Sequence, residues 1–534
     1  MENASSVTKL KSFSVASQIN PYFSIAILTI ATFMEVLDLT IANVAVPRIA
    51  GDLSVPFADA SWVIGSYLVA NAAILPISGW LTTRFGRKQY YMACVCGFVA
   101  SSLMCGFSTN LGTLIFFRFL QGASGSGLAV SEQAIIADAV PPEKLGRAFS
   151  IYASFMFIAP VLGPTVGGFI TDNFSWHWVF FINVPIGIIS LVLVYFFVHE
   201  SEVALEAAEQ RRREHASIDW VGILLFVGGI ACLELVLEQG PKENWFESNL
   251  ILLGAITAFF ALLIGATWEW YQPHTAVDVE MFKHPHFAAC CVLMFAVALV
   301  LYGSTFLIPY TVQTLLDYSA TNSGLVLLPG AIVSLIMMPI VGWLLDVVDA
   351  RKILLFGLAA TILAVWHLSS INLNISFNDL AAARGFQAFG LSFLAASVNT
   401  VAYYHLPKGK NNSASALLNL VRNTGASMSI ALTVTLLRQR TETHVTNLSY
   451  HASNYNPNFT EAIKQLTRNF KEQGLNALQA KNFSYDVMWN ELVKQASMKA
   501  VLEVFEVFLI LFVLAIPMVF LLKNKRSGDS GGGH

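Results

Sequence analysis

The sequence predicts an all-α polytopic membrane protein of fourteen spans, built as two six-helix bundles plus two extra transmembrane helices. Three observations lead to this fold class. Hydrophobic residues make up 55% of the 534-residue chain and charged residues only 12%, where soluble domains carry about 25% charged residues. Apolar runs recur from Tyr22 to Leu522, each reaching the roughly 20 residues that cross about 30 Å of hydrocarbon as a helix. They are continuous rather than alternating apolar and polar residues, which favours helices over a membrane barrel. The third observation is an internal repeat. Pro76-Ile77-Ser78-Gly79-Trp80-Leu81 returns as Pro339-Ile340-Val341-Gly342-Trp343-Leu344, an offset of 339 − 76 = 263. Arg118-Phe119-Leu120-Gln121 returns as Arg384-Gly385-Phe386-Gln387, an offset of 384 − 118 = 266.

In chain order the expected spans are 22–46, 58–81, 89–108, 111–138, 146–171, 177–198, 218–237, 249–270, 284–312, 322–345, 351–370, 376–402, 409–437 and 497–522. Two six-span halves alone need a smaller repeat offset. Inserting the pair at 218–237 and 249–270 between them accounts for the excess, so the order is six, two, six. The resulting division is a cytoplasmic N-terminal segment 1–21, a first bundle 22–198, a cytoplasmic linker 199–217, the additional pair 218–270, a second bundle 284–522 and a cytoplasmic tail 523–534. An insertion at 438–496 interrupts the second bundle on the outer side.

Basic residues in the connections set the orientation. With both termini cytoplasmic, that side collects Lys9, Lys11, Arg84, Arg87, Lys88, Arg147, Arg211, Arg351, Lys352, Lys410 and Lys523, whereas the short outer connections hold only Arg48 and Lys242. The run after the polar first twenty residues is too long for a signal-peptide core and reads as a retained first span. In the insertion, Phe459, Ile463, Leu466 and Phe470 recur at helical spacing, predicting an amphipathic helix that lies on a membrane, on a partner or on the protein itself.

Several function classes drop out. The basic residues are dispersed, which argues against nucleic acid. The six cysteines lie in or beside apolar runs with no metal or disulfide spacing. No nucleophile constellation or phosphate loop points to an enzyme. His284 and His286 flank Pro285, and metal binding there is the less favoured reading.

Chemistry is expected where charge enters hydrocarbon, at a cost of about 2.5–3.5 kcal/mol per residue on insertion scales. Glu35 and Asp38 lie three apart on one face of the first span. Arg118, seven residues into a span entered from outside, reaches a similar depth and is the natural partner of Asp38. Protonation of Asp38 would break that pair and couple a proton to a conformational change; the alternative is a permanent ion pair that only fixes packing. Glu132, fourteen residues beyond Arg118 and nearer the cytoplasm, is a candidate second proton carrier or a binding group for a cationic part of the substrate. Arg384 and Arg422 are also intramembrane, with packing and transport roles both open. Trp62, Tyr67, Asn71, Tyr302 and Asn419 are candidate linings of a substrate cavity between the halves.

Two glycine patterns stand out. Gly163, Pro164, Gly167 and Gly168 fall in the middle of the fifth span, where they permit close helix approach and a bend. The loop Gly79-Trp80-Leu81-Thr82-Thr83-Arg84-Phe85-Gly86-Arg87-Lys88 combines basic residues with turn-permitting glycines and is echoed at Gly342 to Lys352. A conformational latch is the expectation, with Asp346 in the place related to Thr83 by the repeat (83 + 263 = 346).

Together these residues resemble the major facilitator superfamily and, within it, the fourteen-span drug:proton antiporter family of Emr-type multidrug efflux transporters. The resemblance is carried by Leu37-Asp38-Leu39-Thr40-Ile41-Ala42-Asn43-Val44-Ala45-Val46-Pro47, by Ser61-Trp62-Val63 with Tyr67, and by Arg118 with Gln121-Gly122. Gly163-Pro164 with Gly167-Gly168, and Trp176-His177-Trp178 through Asn183-Val184-Pro185, complete it. It covers nearly the whole chain. It implies proton-coupled export of amphipathic compounds from the inner membrane, with the proton gradient and no bound cofactor as the energy source. It also implies a periplasmic adaptor of the membrane-fusion type and an outer-membrane channel as partners. Two departures are visible: Thr83 stands where the loop signature has an acid, and His177 where the sixth-span motif has an arginine. A proton-coupled uptake carrier for a specific metabolite, and a non-transporting sensor or scaffold on the same fold, are the competing expectations.

Overall fold

The computed structural model describes residues 21–141, 144–198, 219–272, 275–404, 406, 410–453 and 455–522. The expected linker 199–217 and tail 523–534 lie outside the described residues, as does the N-terminal segment apart from Pro21.

Among the described residues the regular structure is helical throughout. Fifteen helices of more than ten residues carry most of it: α1 (Pro21–Asp52), α2 (Trp62–Phe85), α3 (Arg87–Gly106), α4 (Leu111–Ala139), α5 (Leu145–Asn173), α6 (Asn183–Phe197), α7 (Trp220–Gln239), α8 (Asn249–Tyr271), α9 (Pro285–Tyr310), α10 (Ala320–Val347), α11 (Ala350–Leu368), α12 (Phe377–Ala402), α13 (Asn411–Ser449), α14 (Pro457–Glu472) and α15 (Ala477–Phe520). A short helix, Trp178–Phe181, leads into α6. Among the described residues, nine helical segments are long and apolar enough to cross a membrane by length and composition. The remaining expected spans, 14 − 9 = 5, fall on α3, α4, α5, α12 and α13. Several of these bury polar side chains, among them Arg118 and Glu132 on α4, Arg384 on α12 and Asn419 on α13.

Local chemistry sets many of the helix starts. Asn110, Asp219, Ser319, Asp349, Ser376, Asn456 and Asn476 each accept a hydrogen bond from a backbone N–H of the following first turn, satisfying a donor that the helix itself leaves unpaired. At the end of α9, Pro309 lacks a backbone donor, and the chain passes into a π-helical turn, Thr311–Leu315.

The internal repeat is visible in the packing. In the first bundle α1 packs on α5, α2 on α4, and α3 on α4; in the second, α9 packs on α13, α10 on α12, and α11 on α12. The two bundles meet along two seams related by the same repeat, α2 against α13 and α10 against α5. The pair α7 and α8 attaches to α2 and α13 through α7. Only 17% of the apolar window of α8 is buried, which puts this helix on the periphery. Its Leu253 and Phe259, like Trp366 of α11 and Leu514 of α15, are exposed and suit contact with lipid.

The insertion differs from the expected boundaries. α13 continues to Ser449 and α15 begins at Ala477, so much of 438–496 extends the two membrane helices. Hydropathy changes at the membrane edge, but a helix in water continues while its propensity and caps allow, and hydropathy does not register that. α14 packs on α15, with Ile463 buried, Phe459 beside Tyr485 and Phe470 beside Phe483 at ring distances of 6.2 and 6.0 Å, and Thr467 bonded to Ser484 at 3.0 Å. Part of its apolar face is thereby covered by the protein itself.

Candidate functional site

α1 brings Asp38, α4 brings Arg118, and both side chains are 0% exposed. Arg118 Nη1 donates to Asp38 Oδ2 at 2.6 Å and to Gln121 Oε1 at 2.8 Å, and its Nε donates to the carbonyl of Val63 at 3.0 Å. The other carboxylate oxygen of Asp38 accepts from Gln121 Nε2 at 3.1 Å and from Asn183 Nδ2 at 2.6 Å. Asn183 also donates to Ser102, which donates to the carbonyl of Phe180. One acid is thereby connected to α2, α3, α4 and the start of α6. The guanidinium lies over the Tyr67 ring, 4.4 Å from its centroid, a cation–π contact strengthened by desolvation. Close approach of α2 and α4 makes this arrangement fit: a Cβ on Gly122 would stand 2.2 Å from the carbonyl of Tyr67.

Glu35 occupies the next place on the same face of α1. Its Oε1 accepts from Asn71 Nδ2 at 3.0 Å and from Tyr67 Oη at 3.3 Å. Asn71 in turn accepts from Asn423 of the second bundle at 3.1 Å, and Arg422 lies within electrostatic reach of Glu35. Glu132 sits apart from this pair. It is 0% exposed and accepts from the hydroxyls of Thr29 and Thr32.

A cavity of about 120 Å³ lies between α5 of the first bundle and α9, α10, α12 and α13 of the second. Of the five residues expected to line a cavity, Tyr302 does so. Tyr67 and Asn71 instead hold Glu35. Trp62 begins α2, half-buried. Asn419 belongs to a polar contact between the halves, donating to Gln133 Oε1 at 2.9 Å, where Tyr403 also donates at 3.2 Å. Gln133 further donates to Tyr152 at 3.1 Å. Of this cluster only Asn419 is singled out by the sequence, because uncharged polar residues within a span do not stand out; Gln133 is signalled only by its place after Glu132.

The basic ends of the two seams form related closures. Gly79 packs on α13 so tightly that a Cβ there would lie 2.9 Å from the carbonyl of Asn412, and Gly342 packs on α5 so that a Cβ would lie 2.9 Å from the carbonyl of Gly146. The two glycines are related by the repeat offset, 342 − 79 = 263. Beside the first, Arg87 bonds Asp138 and donates to Asn412 Oδ1 at 2.7 Å; Asn411 also bonds Asp138. Beside the second, Arg147 pairs with Asp346 at 2.5 Å. Thr83, in place of an acid, accepts from Asn412 Nδ2 at 2.9 Å, so it joins the seam as a neutral group. Gly86 has φ +92°, a region that favours glycine, and turns the chain from α2 into α3. Arg84 is half-buried in the last turn of α2.

In α5, Gly163 and Gly167 face α1: a Cβ on Gly163 would meet Thr40 Oγ1 at 2.0 Å and one on Gly167 would meet Ile41 Cγ2 at 3.1 Å, whereas Gly168 faces open space. Pro164 lies in the helical backbone between them; its side chain is outside the description. His177 bonds Ser175 at 2.6 Å and stacks on Trp176. His286 is buried against the carbonyl of Val401 at 2.9 Å, and among the described residues no cluster suited to a metal occurs.

Comparison with known proteins agrees with this architecture. The profile of the Major Facilitator Superfamily matches residues 28–430. Multidrug export protein EmrB of Haemophilus influenzae is 36% identical over 434 residues, covering 80% of this chain and 83% of that one. Multidrug export protein EmrB of Escherichia coli strain K12 is 31% identical over 507 residues, covering 95% and 96%. Fatty acid resistance protein FarB of Neisseria gonorrhoeae is 31% identical over 508 residues, covering 95% and 97%. Among solved structures, the human organic anion transporter MFSD10 superposes with a TM-score of 0.56 at 12% identity, over 92% of this chain and 100% of that one; at that identity the likeness concerns the fold. With a repeat of six-helix bundles, a cavity between them and relatives that span its length, the chain belongs to the major facilitator superfamily of multi-pass membrane transporters.

Proposed function

We propose that this chain is a proton-coupled antiporter that exports amphipathic drugs and other toxic small molecules across the inner (plasma) membrane, with both termini cytoplasmic. The observation that carries the reading is the Asp38–Arg118 pair, an acid buried with its guanidinium and joined to four segments of one bundle. Proton binding to Asp38 removes its charge and frees Arg118 to find other acceptors. The loss is felt by α2, α3 and α6 as well as α1, so a single titration biases the whole first bundle against the second. Glu35 stands next on the same face, hydrogen-bonded through Asn71 to the second bundle. Glu132 is a further buried acid available to the same path. No bound cofactor enters this scheme; the proton gradient supplies the energy.

The charge distribution supports the orientation: the closures carrying Arg87 and Arg147 lie at the cytoplasmic end, which makes the described state closed to the cytoplasm. The relatives named for multidrug export support the substrate class. We further infer that the α13–α14–α15 projection on the opposite side receives a periplasmic adaptor, making the chain the inner-membrane part of a tripartite pump with an outer-membrane channel.

The test is export of a fluorescent amphipathic drug by reconstituted vesicles under an imposed pH gradient. Intact protein accumulates the drug while the gradient lasts and stops when it is collapsed. Asp38→Asn falls to the background rate. Export indifferent to the gradient, or undiminished in Asp38→Asn, overturns the reading, and the second result favours a transport-independent role for the pair.

A further inference from the structure

The cavity between the bundles carries two guanidiniums, those of Arg384 and Arg422, and no acidic side chain among its described lining residues. The repeat explains how this came about. Arg384 is the counterpart of Arg118 and Gln387 of Gln121, both at an offset of 266, and Ser304 stands in the place of Asp38 by accepting from that glutamine. The geometry is retained while the acid is absent: Arg384 Nη1 donates to Gln387 Oε1 at 2.5 Å, and Gln387 Nε2 donates to Ser304 Oγ at 2.7 Å, just as Gln121 joins Arg118 and Asp38. In the first bundle the guanidinium has a carboxylate, and in the second it has only neutral acceptors.

Arg384 is 8% exposed, and among the described residues no charged neighbour offsets its burial. Its Nη2 donates to Thr305 at 3.1 Å, but its buried Nε has no partner. Gly330, which also lines the cavity, packs closely on this side chain: a Cβ there would lie 3.3 Å from Cγ and 3.4 Å from Nε of Arg384. Arg422 is also a cavity residue with an unpartnered Nε, but Glu35 is within its electrostatic reach. Arg384 is therefore the less compensated cation. A buried guanidinium without a counter-ion is costly, and a carboxylate matches the geometry of its donors.

We propose that Arg384 is an anion-binding residue for substrate, and that this cavity takes compounds with a compact apolar body and one carboxylate or comparable oxyanion. The apolar remainder of the lining, with the rings of Tyr152 and Tyr302, receives the body, and the anion lies at Nε of Arg384, the donor that in Arg118 is taken by the carbonyl of Val63. This deepens the export reading by naming a substrate class for the same transporter, and it rests on that reading only for the direction of transport.

Binding without any gradient tests it. Purified full-length protein in a neutral detergent is titrated with 2-naphthoate and with its neutral amide, 2-naphthamide, by calorimetry. The expected result is that wild type binds the acid at least about tenfold more tightly than the amide, the scale of one charge-assisted hydrogen bond. Arg384→Gln abolishes that preference, and Arg384→Lys keeps most of it. No preference in wild type, no binding of the acid, or a preference that survives Arg384→Gln overturns the proposal. Should Arg384→Gln fail to fold, the wild-type ratio and Arg384→Lys still decide. Preference for the acid in detergent without gradient-driven export in vesicles supports this proposal and defeats the proton-coupled reading, so the two failures are distinguishable.

Discussion

Removing both charges of the Asp38–Arg118 pair separates its contribution to packing from its contribution to coupling. Deleting one partner leaves a buried uncompensated charge and costs about 3–5 kcal/mol, whereas neutralising both in similar volume is often close to neutral. Asp38→Asn with Arg118→Gln therefore retains a thermal unfolding midpoint within a few degrees of wild type, while gradient-driven export is lost. A pair that only fixed packing would leave the double variant exporting normally. Arg118→Lys keeps the charge but not the fork, and a single ammonium cannot reproduce bonds to Val63, Asp38 and Gln121 from the same position; its export rate is expected to fall more than about tenfold. The pair itself was legible in the sequence because ionised groups are rare in hydrocarbon and their depths could be counted. Asn183, which bonds Asp38 at 2.6 Å, is visible in the sequence only as part of a motif, since an amide within an apolar run has no energetic signature that names its partner. That no acid stands beside Arg384 among the described residues is likewise seen only when the helices are assembled and Ser304 takes the place of Asp38.

At the level of the helix, the glycines of α5 make a controlled comparison. Thr40 cannot easily retreat from Gly163, because its hydroxyl is bonded to the carbonyls of Val36 and Leu37 at 3.0 and 2.9 Å. A methyl group at Gly163 forces α1 and α5 apart and costs about 1–3 kcal/mol, the usual range for overpacking. Gly168 meets nothing within 4 Å, so alanine there is neutral or slightly favourable through helix propensity. Thermal unfolding of Gly163→Ala and Gly168→Ala in the same detergent should separate the two by several degrees; equal midpoints would dismiss the close α1–α5 contact. The string Gly163 to Gly168 was visible in the sequence as a packing signal, but which of its members touch a neighbour follows from helical phase and from where α1 lies. Span positions were legible for the same reason that the fold class was: about 20 apolar residues have a physical meaning in a bilayer. The outer ends of α13 and α15 were not, since nothing in hydropathy marks where a helix ends once it has left the membrane.

Those outer ends shape the whole molecule. α13 has 39 residues and α15 has 44, which at 1.5 Å per residue makes them about 58 and 66 Å long, roughly twice the hydrocarbon thickness. α13 starts at the closure, where Asn411 and Asn412 meet Asp138 and Arg87, and α15 finishes near the same side, with Arg351 bonded to the carbonyl of Leu522. Their excess length therefore projects from the opposite face. The projection is braced internally, by Arg440 and His444 on Glu503 at 3.2 and 2.9 Å and by α14 along α15. It nevertheless leaves Tyr455, Leu478 and Trp489 exposed, an apolar display that burial in a bundle does not account for. On the proposed function this display is the docking surface of the periplasmic adaptor. Substituting Leu478 and Trp489 together by serine is expected to lower drug resistance in a two-membrane host to that of cells lacking the protein. Gradient-driven export by the same variant in vesicles should stay within about twofold of wild type, because these side chains lie outside the bundles and both seams. Parallel loss of both activities would place the projection inside the transport cycle instead, and undiminished resistance would remove the adaptor from the scheme.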